Sequence, residues 1–136
     1  MDKILTRIIS LIDLPEFAKE ISNKISAPIT LGLVGDLGSG KTTFTKELLK
    51  SLGVKERVSS PTYVLSNEYK NNNLTIEHWD LYRLKSLPFE LLEPPSNYTI
   101  RIIEWVDKIP NFRELTDMLI TIKTTGESER KFECFN

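Results

Sequence analysis

The stretch Gly35-Asp36-Leu37-Gly38-Ser39-Gly40-Lys41-Thr42 constrains this chain more than any other. It matches the spacing G-x-x-x-x-G-K-S/T, in which each fixed position answers a physical need. Glycines let the backbone turn tightly, so that several N–H groups converge on phosphate oxygens with no Cβ in the way. The helix that follows adds the partial positive charge of its N-terminus. Lys41 is placed to reach the β and γ phosphates, and the Thr42 hydroxyl to ligate Mg²⁺. The surroundings agree. Ile29 to Val34 reads as a short buried parallel strand. Lys41 to Leu52 reads as a helix with Phe44, Leu48, Leu49 and Leu52 on one face, stopped by Gly53. A strand, a glycine-rich turn and a helix in that order predict a nucleoside-triphosphate site running from Gly35 to Thr43.

The remaining elements predict an α/β fold with antiparallel additions. Ile4 to Leu11 suits an edge strand. Asp13 as N-cap, Pro15 in the first turn and Glu16 completing a capping box open an amphipathic helix over 14–25. Tyr63 to Tyr69 and Leu74 to Asp80 read as a hairpin across Lys70-Asn71-Asn72-Asn73, since asparagine tolerates positive φ. Residues 85–93 suit a short helix stopped by Pro94-Pro95. Tyr98 to Trp105 is a further strand. Met118 to Lys123 and Arg130 to Phe135 form a last hairpin around Thr125-Gly126-Glu127.

Composition narrows the class. With 136 residues, the prior is one domain, 1–136, large enough for a core without metal or disulfide staples. Lys and Arg number 18 against 19 Asp and Glu, a net charge of −1, so a generally cationic nucleic-acid binder is excluded while a local RNA contact is not. Cys134 is the single cysteine and has no internal disulfide partner. No apolar run has signal-peptide or membrane-span length, so a soluble cytoplasmic protein is expected.

A guanine reader of the Ras type would carry N-K-x-D downstream of the loop. Here the Asn23-Lys24 pair lies upstream, a D-x-x-G switch is missing, and the chain has no glutamine to orient a water. ATP is therefore favoured over GTP. Such a loop also needs a carboxylate to hold or order Mg²⁺. Asp80 and Glu104 each end a predicted strand, where an open α/β sheet has its ligand crevice. One would bind the metal and the other orient or deprotonate the attacking water, with the assignment open. Thr62, in Ser60-Pro61-Thr62-Tyr63, occupies the chain position of a γ-phosphate-sensing switch, and a plain proline turn fits the same residues. His78 shares a strand face with Asp80, as a site hydrogen-bonder or a structural residue. Trp79 points to the opposite face, toward the core. Arg83 is placed for phosphate, RNA or a protein partner, and Trp105 for core, base stacking or an interface.

Taken in order, Gly35 to Thr43, Ser60-Pro61-Thr62-Tyr63, His78-Trp79-Asp80-Leu81-Tyr82-Arg83 and Ile103-Glu104-Trp105 resemble the bacterial TsaE family over roughly residues 14–125. The resemblance implies a small P-loop ATPase of tRNA threonylcarbamoyladenosine biosynthesis, with a P-loop NTPase-like mixed parallel/antiparallel sheet flanked by helices. It implies that Lys41, Thr42 and Thr43 serve phosphate and Mg²⁺, and that Asp80 serves Mg²⁺. Thr62 then belongs to a switch-like loop, and Glu104 and Trp105 to a second acidic block at the nucleotide. The implied partners are TsaD and TsaB, which modify N6 of adenosine 37, with tRNA contacted indirectly. The chain departs from that pattern at Ser39, where alanine is usual, at Leu14-Pro15, where a threonine is common, and in a short 84–103 stretch without the usual glycine.

Two other classes share the loop. A small-molecule kinase needs an acceptor pocket and commonly an arginine-bearing lid, yet no two of the arginines at 7, 57, 83, 101, 113 and 130 lie close in sequence. A nucleotide-gated binding module needs the loop without hydrolysis. The small size favours an ATPase, weak alone, whose chemistry serves a partner.

Overall fold

The structure is a computed structural model that describes residues 1–58 and 66–136. Its centre is a seven-stranded sheet built from β1 (Lys3–Ser10), β2 (Ile29–Val34), β3 (Ser66–Asn71), β4 (Leu74–Asp80), β5 (Thr99–Glu104), β6 (Met118–Gly126) and β7 (Glu129–Phe135). The order across the sheet is β1-β7-β6-β2-β5-β4-β3. The four inner strands β6, β2, β5 and β4 run parallel, while β3, β7 and β1 join antiparallel. The mixed sheet flanked by helices is the predicted fold class.

Period-two patterning assigns the two faces. Leu31 and Leu33 of β2, Ile100 and Ile102 of β5, and Ile120 and Ile122 of β6 meet the helices α1 (Leu14–Ser22) and α2 (Lys41–Ser51). The centre of that layer is three tilted rings, Phe17 of α1, Phe44 of α2 and Phe132 of β7, with centroids 4.7 to 5.9 Å apart. The opposite face buries Trp79, Ile103 and Leu119 beneath the 81–91 segment and the 3-10 turn Val106–Lys108. The one-turn helix α3 (Phe112–Leu115) also covers that face. Gly32 permits the close approach there: a Cβ on it would lie 2.7 Å from Val106 Cγ1 and 3.0 Å from Thr116 Cγ2.

Several local expectations change. Asp13 stands at the N-cap position of α1 as expected, but its side chain makes no capping hydrogen bond: its carboxylate accepts the Ser10 hydroxyl at 2.9 Å, and residues Leu11–Asp13 form a 3-10 turn leading into the helix. The helix ends at Ser22 rather than 25, although Ile25 still packs into the core. The first hairpin turns tightly on Asn72-Asn73, with Asn72 at φ 56°. Its first strand is described from Ser66 onward, so the expectation for 63–65 lies outside the described residues. The helix expected over 85–93 reduces to the 3-10 turn Phe89–Leu92. Trp105 leaves β5 in the left-handed region rather than continuing the strand.

Cys134 sits fully buried on β7 between Leu5 and Ile120, and burial pushes its thiol up to about 11. At pH 8 its thiolate fraction is then about two orders of magnitude below that of an ordinary thiol, before access is counted. The native protein is expected to resist Ellman's reagent at pH 8 and to react promptly in denaturing urea. Native reaction at the rate of a free peptide thiol would contradict this packing.

Among the described residues, no helix is long and apolar enough to cross a membrane.

Candidate functional site at the end of the parallel strands

The loop between β2 and α2 leaves the central strand where the sheet's connections diverge to either side. Gly38 (φ 79°) and Gly40 (φ 106°) adopt conformations that L side chains rarely hold, and a Cβ on either would project into open space. Gly35 is needed for contact instead, since a Cβ there would lie 2.5 Å from Ser39 Oγ and 2.7 Å from the Ile122 carbonyl.

Lys41 is nearly buried, yet its ammonium is fully engaged. Nζ donates to the Gly35 carbonyl at 2.6 Å, the Asp36 carbonyl at 2.8 Å and Ser39 Oγ at 3.3 Å. It also lies 4.0 Å from the centroid of the Trp105 ring. Burial lowers its pKa from the ordinary lysine value, opposed by the carboxylates of Glu104, Asp107, Asp80 and Asp36. A desolvated cation with its carbonyl partners on one side is suited to a strong incoming anion.

Parallel pairing of β4 with β5 puts Asp80 directly opposite Glu104. Thr42, in the first turn of α2, donates its hydroxyl to Glu104 Oε1 at 2.8 Å. Glu104 Oε2 accepts from His78 Nε2, and both of these residues are buried. Glu104 is thus oriented from two sides, one of them the residue that sequence alone left between a site and a structural role. His78 Nδ1 has no hydrogen-bond partner among the described residues. Asp80 is more open, with Oδ1 accepting the Tyr82 N–H at 3.0 Å.

Trp105 holds φ 60° and ψ 37°, a conformation costly for a bulky residue. The backbone reversal puts its ring over Lys41 and against Tyr82, with those two aromatic centroids 4.9 Å apart. Lys108 supports the pair by donating to the Tyr82 carbonyl at 2.5 Å.

These residues surround an open cleft of about 350 Å³. Leu37, Gly38, Gly40, Lys41, Thr42 and Thr43 line one side, and Asp80 and Glu104 meet them from the strands. Gly35, Asp36 and Ser39 form the loop's supporting backbone, with Ser39 buried. Thr62 lies outside the described residues. Arg83 is exposed. Tyr82 and Trp105 also line the cleft, and Tyr82 had no assigned role beyond following Asp80 in sequence.

The donor set suits a nucleoside triphosphate with Mg²⁺. Open space over two positive-φ glycines leaves room for phosphate oxygens. Among the described residues there is no group of three His, Cys, Asp or Glu side chains that forms an all-protein cage. One hydroxyl and two carboxylates fit a cation that keeps waters and takes other ligands from phosphate.

Comparison with known proteins places the chain in a family. The family model described as "Threonylcarbamoyl adenosine biosynthesis protein TsaE" matches residues 9–132. A Bacillus subtilis protein named tRNA threonylcarbamoyladenosine biosynthesis protein TsaE is 36% identical over 124 residues, covering 86% of this chain and 78% of its own. An Aquifex aeolicus protein of the same name is 32% identical over 125 residues, covering 90% of this chain and 89% of its own. The crystal structure of Bacillus subtilis YdiB superposes with a TM-score of 0.75 at 26% identity, covering 98% of this chain and 86% of that one. The chain belongs to the TsaE family, and with it to tRNA threonylcarbamoyladenosine biosynthesis.

Proposed function

We propose that this protein is the MgATP-binding and hydrolysing component of the tRNA N6-threonylcarbamoyladenosine machinery, a one-domain cytoplasmic ATPase acting with TsaD and TsaB. It supports turnover of the transferase, and tRNA is held mainly by its partners. The observation that carries this reading is the Thr42–Glu104 hydrogen bond. It joins the first turn of the loop's helix to a carboxylate at the end of the adjacent parallel strand.

In this reading the backbone from Gly35 to Thr43 and the Lys41 ammonium bind and orient the phosphates. A bound Mg²⁺ would withdraw charge from the β and γ phosphates. Thr42 and Asp80 would hold it, and Glu104 would bind it or order its water. A hydroxyl can offer a lone pair to a cation while its proton stays on a carboxylate, so the Thr42–Glu104 bond is compatible with metal ligation. Asp80, lining the open cleft beside Glu104, would be available to a water near the bound phosphates. Thr62 completes the reading as the residue that senses that phosphate.

Phosphate release is to be measured for the chain alone, with TsaB and TsaD, and with small-molecule acceptors. Weak release alone and clear stimulation by the partners are expected. Glu104→Gln keeps the shape but removes the charge, and should bind MgATP within a few-fold while losing about 100-fold or more in turnover. No stimulation, together with phosphate transfer to a metabolite, would instead establish a kinase. MgATP binding with no release under any condition would leave a nucleotide-gated binding module.

A further inference from the structure

Arg130 stands on β7, with β6 between it and β2, and is 91 residues from the loop it touches. Its Nε donates to the Ser39 carbonyl at 3.0 Å. Its Nη1 donates to the Gly126 carbonyl at 2.9 Å and to the Glu129 carbonyl at 2.8 Å. One half-buried guanidinium therefore ties the β6–β7 turn to the glycine-rich loop.

The tie falls on an informative peptide. In a trans peptide, C=O and N–H point in opposite directions, so holding one carbonyl aims the next amide. The Ser39–Gly40 plane precedes a glycine at φ 106°, where many backbone conformations are accessible and a peptide flip meets little steric resistance. Within the loop, Lys41 holds the carbonyls of Gly35 and Asp36, and Asp36 also accepts the Ser39 N–H at 3.0 Å. The Ser39 carbonyl is held from outside. With that carbonyl turned toward β7, the Gly40 N–H faces away from Arg130, and Gly40 lines the cleft.

We propose that Arg130 is a positioning residue for the phosphate-binding loop, holding the Ser39–Gly40 peptide so that the Gly40 N–H is presented to bound phosphate. This rests on reading the loop as a nucleotide site and adds a determinant of its affinity. A preset amide does not have to be ordered during binding. Because the effect is on loop geometry, ADP and MgATP should feel it alike, and the chemical step should change little.

The test compares the unaltered chain with Arg130→Ala, at a temperature where circular dichroism shows both folded. ADP and MgATP affinities are measured by calorimetry at low and high salt, and the Gly40 amide is followed by ¹⁵N NMR during ADP titration. Arg130→Ala is expected to weaken both nucleotides about tenfold, the scale of one hydrogen bond to a charged group. The loss should persist at high salt, turnover at saturating MgATP should stay within a few-fold, and the Gly40 resonance should lose its ADP-induced shift. Arg130→Lys, which retains a donor, should recover part of the affinity. Unchanged affinity in Arg130→Ala would overturn the proposal, as would a loss that vanishes at high salt, the signature of a mere field effect. If the unaltered chain binds no nucleotide, the reading of the loop fails instead, which is a distinguishable result.

Discussion

Lys41→Ala is expected to remove measurable MgATP binding while the protein stays folded. The Lys41 ammonium is desolvated and held by the Gly35 and Asp36 carbonyls at 2.6 and 2.8 Å, with the Trp105 ring 4.0 Å away. Its charge is therefore little screened by water, and charge-assisted bonds to phosphate formed there are strong. Losing two such bonds and the cation should cost at least about 3 kcal/mol, or a hundredfold in affinity.

Folding responds less, because two effects oppose each other. Removing the side chain relieves the desolvation that lowers the Lys41 pKa, but it withdraws a cation from Glu104, Asp107, Asp80 and Asp36. Thermal denaturation makes the separation visible. Nucleotide at 100 times its dissociation constant stabilises a native protein by about 2.7 kcal/mol. For a chain of this length that raises Tm by roughly 8–10 °C. The unaltered protein should show that rise and Lys41→Ala at most about 1 °C of it. Retained MgATP affinity in the variant would overturn the assignment of the loop.

Phe44→Ala should produce the largest loss of stability, about 3–5 kcal/mol. Phe44 is fully buried, and its ring meets Phe17 at 5.9 Å and Phe132 at 5.5 Å. Truncation leaves a cavity where α1, α2 and β7 join, with rigid neighbours on three sides that cannot collapse to fill it. Urea denaturation measures the effect as a lower midpoint at nearly unchanged slope. Against a typical total of 5–15 kcal/mol, such a loss brings the variant close to marginal stability. A loss below about 1 kcal/mol would show that the three-ring joint does not carry this layer. Since α2 also begins at Lys41, saturating MgATP should recover part of the lost stability.

The central strand β2 was legible because burial on both faces demands a mostly apolar run, met by Ile29 to Val34, and the loop because phosphate chemistry demands glycine, lysine and threonine at fixed spacing. The ends of elements were less legible. Asp13 and Glu16 spell a capping box, but Ser10 takes the Asp13 carboxylate. Residues 85–93 have the composition of a short helix, but form only a 3-10 turn. The buried Arg101 draws on the Glu93 carbonyl at 2.7 Å and Glu77 at 2.8 Å, which ties that segment down at its end.

Sequence by itself determined the fold class, the loop from Gly35 to Thr43, and the candidacy of Asp80 and Glu104, since local chemistry and strand periodicity are written in neighbouring residues. Only the tertiary structure decided which groups meet. Parallel pairing set Asp80 opposite Glu104, and placed Glu104 between Thr42 and His78. The reversal at Trp105 laid its ring over Lys41, and the hairpin brought Arg130 to Ser39. Those contacts join residues from 24 (Asp80 to Glu104) to 91 (Ser39 to Arg130) positions apart in the chain. Strand order and register, rather than any local pattern, bring them together.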